Sequence, residues 1–367
     1  MKKEKVAVAM SGGVDSSVAA ALLCERGYEV VGITMDIFSL PREFCWDESL
    51  KSCCGKGAIQ KANQVASVLG IPHYVVNLKR IFEKRVIENF CSEYQQGRTP
   101  NPCIRCNEHI KFEALMRRAE KLNATYLATG HHARRIRDPG SRRWKLLKGR
   151  DRQKDQSYFL YPLTQRQLSR SLFPIGDFTK DEVRKRAVDW SLPVADRSES
   201  QEICFIPDQD YIRFLRERIP EAFLPGSITD ERGNVLTRHD GIIHFTVGQR
   251  KRMGIAAAQP LYVLEIQAGR NRIVVGLNKR LFKKKFRVLG VNWISAKEMK
   301  VPFSAKVKIR YKHKEAPAVL TPLEPDRVLV EFNEPQRAVT PGQAAVFYDR
   351  DAMVGGGVID KVLKNQP

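Results

Sequence analysis

An apolar run that leads directly into a glycine-containing turn is the feature that most constrains this chain of 367 residues. Residues 6–10 are all apolar, which predicts a strand buried on both faces of a parallel sheet. The sequence Ser-Gly-Gly-Val-Asp-Ser-Ser follows at residues 11–17, and a helical pattern begins at Val14. Gly12 and Gly13 lack Cβ atoms, so backbone N–H groups can approach phosphate oxygens at the positive end of that helix. The sequence therefore predicts a phosphate-binding loop.

The loop carries no lysine after its glycines, unlike the phosphate loop whose lysine reaches the terminal phosphates of a nucleotide. It resembles the pyrophosphatase loop of the ATP-dependent adenylating enzymes, which include GMP synthetase, asparagine synthetase and several tRNA-modifying enzymes. This resemblance implies that the loop holds the pyrophosphate part of ATP while AMP is transferred. The alternative is a glycine turn that binds no ligand.

The order of the hydrophobic patterns predicts three domains. Strands and helices alternate up to residue 205, which predicts an α/β fold with a doubly wound parallel sheet and ligands at the carboxyl ends of its strands. Short β-branched runs between Gly and Pro turns follow, which predict β structure. We expect an ATP-binding α/β domain over 1–205, a small, mainly β central domain over 206–285 and a C-terminal β-barrel over 286–367. The predicted strands include 29–34, 73–78, 126–129, 242–247, 261–266 and 305–311, and the predicted helices 58–69, 81–94, 107–122 and 180–190.

The charge of the chain favours a polyanionic partner. Lys and Arg number 63 against 41 Asp and Glu, a formal net charge of +22. Cations cluster with aromatic residues at 134–152, 279–287 and 306–314, a composition that suits RNA. No apolar stretch approaches the roughly 20 residues that span a bilayer, and the eight cysteines are too few for a disulfide scaffold. We therefore expect a cytoplasmic protein without membrane contact.

Three cysteines are candidates for chemistry. Cys103 and Cys106 form a C-x-x-C pair, and a helix expected to begin near Asn107 would place Cys106 at its N-terminus, where a thiolate is stabilised. Cys204 lies where the α/β pattern ends. From its chemistry alone, Cys204 is equally compatible with a reactive thiol and with a buried core residue.

With these segments the chain resembles the tRNA-specific 2-thiouridylases, which replace the C2 oxygen of the wobble uridine by sulfur. The matching stretches cover nearly the whole chain and lie at 9–17, 97–107, 129–131, 154–160, 200–206, 246–251 and 340–344. The resemblance implies the same three-domain architecture, in which 1–205 would be the ATP-binding and catalytic domain and 206–285 the small central tRNA-binding domain. It also implies ATP, with Mg²⁺, as cofactor, and tRNA and a sulfur donor, either a protein or sulfide, as partners of a monomer.

The resemblance also implies the roles of individual residues. ATP would be held by Ala9, Met10, Ser11, Gly12, Gly13, Val14, Asp15, Ser16, Met35 and Gly130. The tRNA would contact Asn101, Pro102, Cys103, His131, Lys154, Asp155, Gln156, Arg310, Tyr311 and Gln343. Cys204 would carry sulfur as a persulfide, and Cys106 would be its partner, ending in a Cys106–Cys204 disulfide. Two alternatives remain: Tyr311 as an aromatic of the barrel core, and Gln343 as a simple turn residue.

This chain has Cys103 where many members of the family carry Asp. The substitution suggests a second hypothesis, in which Cys103, Cys106 and Cys204 hold a [4Fe–4S] cluster that delivers sulfide. Cys45, Cys53 and Cys54 lack a nearby His, so we favour ordinary cysteines without a bound metal over a structural zinc site. Cys24 and Cys91 lie in predicted helices, and we expect them to be core residues. Two other functions stay open: a different adenylating ligase acting on a nucleic acid or nucleotide, and a non-catalytic RNA-binding protein.

Overall fold

The computed structural model describes residues 3–39, 56–196, 203–324 and 326–363. The chain divides into two compact units, each with its own core. The first comprises residues 1–87, 102–209 and 351–353, and the second comprises 88–101, 210–350 and 354–367. In the described residues, no helix is both long enough and apolar enough to cross a membrane.

The first unit contains a parallel sheet of five strands in the order β3-β2-β1-β4-β7. Its neighbours are all parallel, and Ala9 of the first strand pairs with Ile33 on one side and Thr129 on the other. The predicted doubly wound α/β fold is therefore confirmed. The strands of this unit are β1 (Lys5–Ala9), β2 (Glu29–Asp36), β3 (His73–Asn77), β4 (Tyr126–Thr129) and β7 (Ser171–Leu172), with an antiparallel hairpin of β5 (Ala133–Arg137) and β6 (Trp144–Lys148).

The helices lie close to where the hydrophobic periodicity places them. In chain order they are α1 (Val14–Glu25), α2 (Lys56–Val68), α3 (Lys79–Phe82), α4 (Glu88–Gln95), α5 (Pro102–Arg105), α6 (Met116–Lys121), α7 (Gln165–Ser169), α8 (Lys180–Asp189) and α9 (Tyr211–Arg218), of which α4 and α9 belong to the second unit. α1 is buried along most of its length because it contacts β1, β2, β4 and α8. Two π-helical segments, Glu83–Ile87 and Cys106–Leu115, interrupt the helices predicted at 81–94 and 107–122.

The second unit contains a four-stranded sheet, in the order β10-β11-β8-β9, and a barrel of six strands, β12-β15-β14-β13-β16-β17, closed by pairing of β12 with β17. Aromatic rings fill the barrel core, where the ring centroids of Phe286 and Phe332 lie 5.5 Å apart. The strands are β8 (Gly226–Thr229), β9 (Val235–His239), β10 (Leu261–Gln267), β11 (Arg272–Leu277), β12 (Phe282–Trp293), β13 (Phe303–Lys308), β14 (Ala316–Glu324), β15 (Arg327–Arg337), β16 (Ala344–Asp349) and β17 (Ala352–Val362). The predicted C-terminal β-barrel is confirmed.

One sequence expectation needs correction in this unit. The strand predicted at 242–247 is a 3₁₀ turn at Ile242–His244, entered through Gly241, whose φ of +134° does not suit a strand. β12 begins at Phe282 and includes three consecutive lysines, at 283–285. The expected domain limits remain predictions.

Candidate active site

The turn between β1 and α1 has the tight geometry that its glycines predict. Gly12 has a φ of +64°, and a Cβ atom there would lie 2.5 Å from the carbonyl oxygen of Ala58 in α2. The hydroxyls of Ser16 and Ser17 donate hydrogen bonds to the Gly13 carbonyl oxygen, at 3.1 and 2.9 Å. These bonds brace the turn against the first turn of α1, whose N-terminal N–H groups can bind an anion.

Gly130 packs directly against this turn. It follows the carboxyl end of β4, and a Cβ atom there would lie 2.6 Å from both the carbonyl carbon of Asp15 and the backbone nitrogen of Ser16. β1 pairs with β2 on one side and β4 on the other, so the turn lies where the winding of the sheet reverses. Ligands of doubly wound folds bind at such a point. Met35, also predicted to hold ATP, is buried near the carboxyl end of β2.

A buried charge cluster lies beside the turn. The Lys180 ammonium is 2.6 Å from Oδ1 of Asp15, and Nε2 of His132 is 3.5 Å from the same oxygen. Burial raises the pKa of Asp15, but the hydrogen bond with His132 and the charge of Lys180 outweigh it and hold the pKa below its usual range. Asp15 is therefore a carboxylate at neutral pH. Sequence reasoning identified Asp15 but missed Lys180 and His132.

His131 links the end of β4 to the π-helical segment Cys106–Leu115. Its Nδ1 is 2.7 Å from the Thr129 hydroxyl, and its ring lies 6.1 Å from the ring of Phe112 in that segment. Burial, together with the nearby charges of Lys111 and His132, holds the pKa of His131 well below its usual value. The imidazole is therefore neutral at pH 7.

The predicted tRNA-contact triplet 154–156 makes hydrogen bonds within its own unit. The Asp155 carboxylate accepts hydrogen bonds from Gly149 N–H and from the backbone and hydroxyl of Ser157, all at 3.0 Å. Gln156 exchanges hydrogen bonds with the backbone of His132 through its own N–H and its side-chain oxygen. Gln156 thus fixes the backbone that follows β4, and contact of this triplet with tRNA remains a prediction.

The structure corrects the expected position of Cys106. The helix begins at Pro102, as favoured by a proline whose missing N–H costs nothing at the first helical position, and not near Asn107. Cys103 therefore lies in the first turn and is exposed, whereas Cys106 lies one turn further on and is buried. A helix N-terminus thus does not explain activation of Cys106.

The segments that carry Cys106 and Cys204 both reach α3. The ring of Phe205, next to the half-buried Cys204, packs edge-on against Phe82 of α3 with 5.6 Å between ring centroids. α3 also contacts the π-helical segment that begins at Cys106. No disulfide joins Cys106 to Cys204 in the structure.

The geometry does not fit an iron–sulfur cluster. Within the ranges that the structure describes, no three or more His, Cys, Asp or Glu side chains converge as a metal site, and these ranges include Cys103, Cys106 and Cys204. Cys45, Cys53 and Cys54 lie outside the described residues. Cys24 packs against the core of the first unit and Cys91 is buried in α4, as expected.

In the second unit, Gln343 contacts the segment that precedes the C-x-x-C pair. Its side-chain nitrogen donates a hydrogen bond of 2.9 Å to the Thr99 carbonyl oxygen, so Gln343 is more than a simple turn residue. Arg310 donates to the carbonyl oxygens of Arg337 and Ala338. Tyr311 is half-exposed in a turn after β13, which removes the barrel-core alternative for it. Asn101 is half-buried at the end of the segment that Gln343 contacts.

Three family models match the chain in order. They are described as the tRNA methyl transferase HUP domain, over residues 4–208, the tRNA methyl transferase PRC-barrel domain, over 212–277, and the aminomethyltransferase beta-barrel domain, over 283–359. Fold and loop thus define the class: an α/β domain of HUP type followed by two β domains.

Curated relatives narrow this class to one family. A tRNA-specific 2-thiouridylase MnmA of Acetivibrio thermocellus is 50% identical over 98% of this chain and 100% of its own length. That of Geotalea uraniireducens is 48% identical, covering 100% of this chain and 97% of its own. A solved structure, a predicted subunit of tRNA methyltransferase from Methanocaldococcus jannaschii, is 20% identical with a TM-score of 0.34, covering 59% of this chain and 87% of its own. The chain belongs to the tRNA-specific 2-thiouridylase family, as its motifs indicated, and is an enzyme that transfers sulfur to tRNA.

Proposed function

We propose that this enzyme uses ATP to activate the C2 oxygen of the wobble uridine of tRNA and then replaces that oxygen by sulfur from Cys204. The observation that carries the proposal is the arrangement at residues 130–132. Gly130 packs against the nucleotide turn, and His131 packs against the segment that begins with Cys106. One short stretch of chain thus joins the features needed for activation and for sulfur transfer.

The residues fit a nucleotide at the turn. At Gly12 and Gly130, Cβ atoms would lie closer than 3 Å to neighbouring backbone, so the main chain is packed there as a phosphate cradle requires. Mg²⁺ bound with ATP would supply charge neutralisation for the pyrophosphate. ATP-binding roles for the ten residues named above, from Ala9 to Gly130, are part of this proposal.

The chemistry proceeds in three balanced steps. The C2 oxygen attacks the α-phosphorus, and pyrophosphate leaves with the electron pair of the broken bond, so the oxygen becomes part of an AMP leaving group. The outer sulfur of a Cys204 persulfide attacks C2, and AMP departs. The Cys106 thiolate then attacks the Cys204 sulfur, which forms a Cys106–Cys204 disulfide while the other sulfur remains on the base. A thiol reductant and a sulfur donor restore the enzyme.

The target base needs to leave its stack to reach this site. We assign contact with the extruded uridine to Asn101, Pro102 and Cys103, and contact with the rest of the tRNA to the remaining predicted residues. Cys103 cannot act as the carboxylate found in many relatives, so no acid–base role is assigned to it.

The persulfide route is preferred over the cluster route because the three thiols do not converge as ligands. Enzyme purified without oxygen is expected to thiolate tRNA when it contains no iron. Activity that follows iron content across preparations would overturn this preference.

The test of function measures AMP, pyrophosphate and thiolated tRNA together. Multiple-turnover release of AMP and pyrophosphate is expected only when tRNA and a sulfur donor are both present, a dependence that neither a ligase with another substrate nor a simple RNA-binding protein would show. Cys204→Ser is expected to abolish thiolation while tRNA binding stays within about twofold, because the change replaces one sulfur atom. Cys24→Ala, on α1, is the matched control and should retain activity. Loss of tRNA binding in Cys204→Ser would show that Cys204 is structural.

A further inference from the structure

Lys180 is a buried cation at the mouth of the nucleotide turn. It is the first residue of α8, its exposed fraction is 6%, and its Nζ lies 2.6 Å from Oδ1 of Asp15 in the first turn of α1. α8 packs against α1, which brings the two helix N-termini together. The turn itself contains no lysine, so Lys180 brings an ammonium group to a place where the sequence motif has none.

The position of Lys180 is unfavourable for stability alone. A cation in the first turn of a helix opposes the helix dipole, and the two residues that follow, Asp181 and Glu182, are acids that suit this position. The Lys180 side chain is almost fully withdrawn from water and that of Asp15 is about 30% exposed, so the pair loses hydration that a neutral pair of similar volume would not lose. An ion pair kept at such a cost beside a ligand cradle is characteristic of functional sites.

A phosphate group bound in this cradle would explain why the Lys180 ammonium lies beside the turn. An ammonium has three N–H donors, so it can hold a carboxylate and a phosphate oxygen at the same time. Asp15 keeps the ammonium at the turn and fixes its direction. The Nε2 atom of His132 lies 3.5 Å from the same Asp15 oxygen, so the carboxylate of this cluster is shared by two nitrogen-bearing side chains.

We propose that Lys180, held by Asp15, binds the pyrophosphate portion of ATP and stabilises it as the leaving group, which makes it a catalytic residue of the activation step. This inference rests on the proposed use of ATP. When the bond between the α-phosphorus and the bridging oxygen breaks, that oxygen leaves with the bonding electron pair. Lys180 stabilises the added negative charge through N–H donors, and no proton changes place.

The test compares three ligands whose phosphate chains differ. Binding of a non-hydrolysable ATP analogue, of pyrophosphate and of AMP, each with Mg²⁺, is measured by calorimetry on the full chain. Lys180→Met is expected to weaken the ATP analogue and pyrophosphate by about tenfold or more, the size of a charge-assisted hydrogen bond, and AMP by less than about twofold. Lys185→Met removes an exposed lysine from the same helix and is the matched control.

A double variant separates charge balance from phosphate binding. Asp15→Asn with Lys180→Met is neutral and is expected to fold. If Lys180 only neutralises Asp15, the double variant will bind pyrophosphate as well as Asp15→Asn does, and the inference is overturned. We expect the double variant to bind pyrophosphate about tenfold more weakly than Asp15→Asn.

The same titrations distinguish failure of this inference from failure of the proposed function. Wild-type protein that binds neither the ATP analogue nor pyrophosphate contradicts both. Wild-type protein that binds them, with affinities unchanged in Lys180→Met or reduced equally for AMP, contradicts only the role of Lys180.

Discussion

At the scale of single residues, the nucleotide site depends on close backbone approach. Gly12 and Gly130 each lie where a side chain would collide with backbone atoms that cannot move without shifting a helix. The close backbone approach at these two glycines could be predicted from the sequence, because each glycine follows an apolar strand. Lys180 could not, since it is 165 positions from Asp15 in the chain and meets it only through packing of α8 on α1.

Gly130→Ala is expected to destabilise the protein by about 1–3 kcal/mol, the usual cost of forcing an atom into packed surroundings. The added Cβ would press on the backbone of Asp15 and Ser16, so we also expect binding of an ATP analogue to weaken by about tenfold or more. Chemical denaturation and calorimetry measure the two effects. Gly140→Ala is the control, because the nearest atom to its Cβ is the Asp138 carboxylate at 3.8 Å. Equal behaviour of the two variants would contradict the packing argument.

At the scale of elements, the sequence predicted regular helices and strands better than it predicted where one helix begins. Strong signals located β1, α1 and α8, because each combines a hydrophobic period with a glycine turn or a capping box. The start of α5 was missed because the helix was expected to begin near Asn107, although proline suits the first helical position and the helix begins at Pro102. The π-helical course of Cys106–Leu115 has no sequence signature that we can identify.

The N-terminus of α8 allows the role of this element to be tested. Thr179 and Glu182 exchange the two hydrogen bonds of a capping box, and Thr164 and Gln167 do the same at α7. Thr179→Ala and Thr164→Ala should each cost about 1 kcal/mol of unfolding free energy, measured by denaturation. Only Thr179→Ala is expected to weaken pyrophosphate binding, by about threefold or more, because only α8 carries Lys180. Equal pyrophosphate affinity in the two variants would show that the cap does not position the lysine.

At the scale of the whole molecule, the charge of +22 predicts an RNA partner, but the structure separates paired cations from available ones. In the cluster at 134–152, Lys145 pairs with Asp138, and Arg134 and Arg152 with Asp351. In the cluster at 279–287, three of the six cations are also paired: Arg280 with Glu231, Lys285 with Glu331 and Arg287 with Asp360. Sequence clustering alone cannot distinguish these cases, because all the acidic partners except Asp138 are distant in the chain from the cations that they pair with.

Three lysines of the cluster at 279–287 have no acidic partner among the described residues: Lys279, Lys283 and Lys284. If they contact phosphates, replacing all three with Gln should weaken tRNA binding and reduce the slope of log affinity against log salt by about 2, because each phosphate contact contributes roughly 0.7–0.9. A triple variant at Lys84, Lys121 and Lys185 removes the same charge from exposed positions of the first unit and is the control. If only the net charge of the protein mattered, the slope of log affinity against log salt would fall equally in both variants. A reduced slope in the first variant alone therefore assigns tRNA contact to this part of the second unit. Equal slopes in the two variants would show that tRNA is attracted only by the overall charge of the protein.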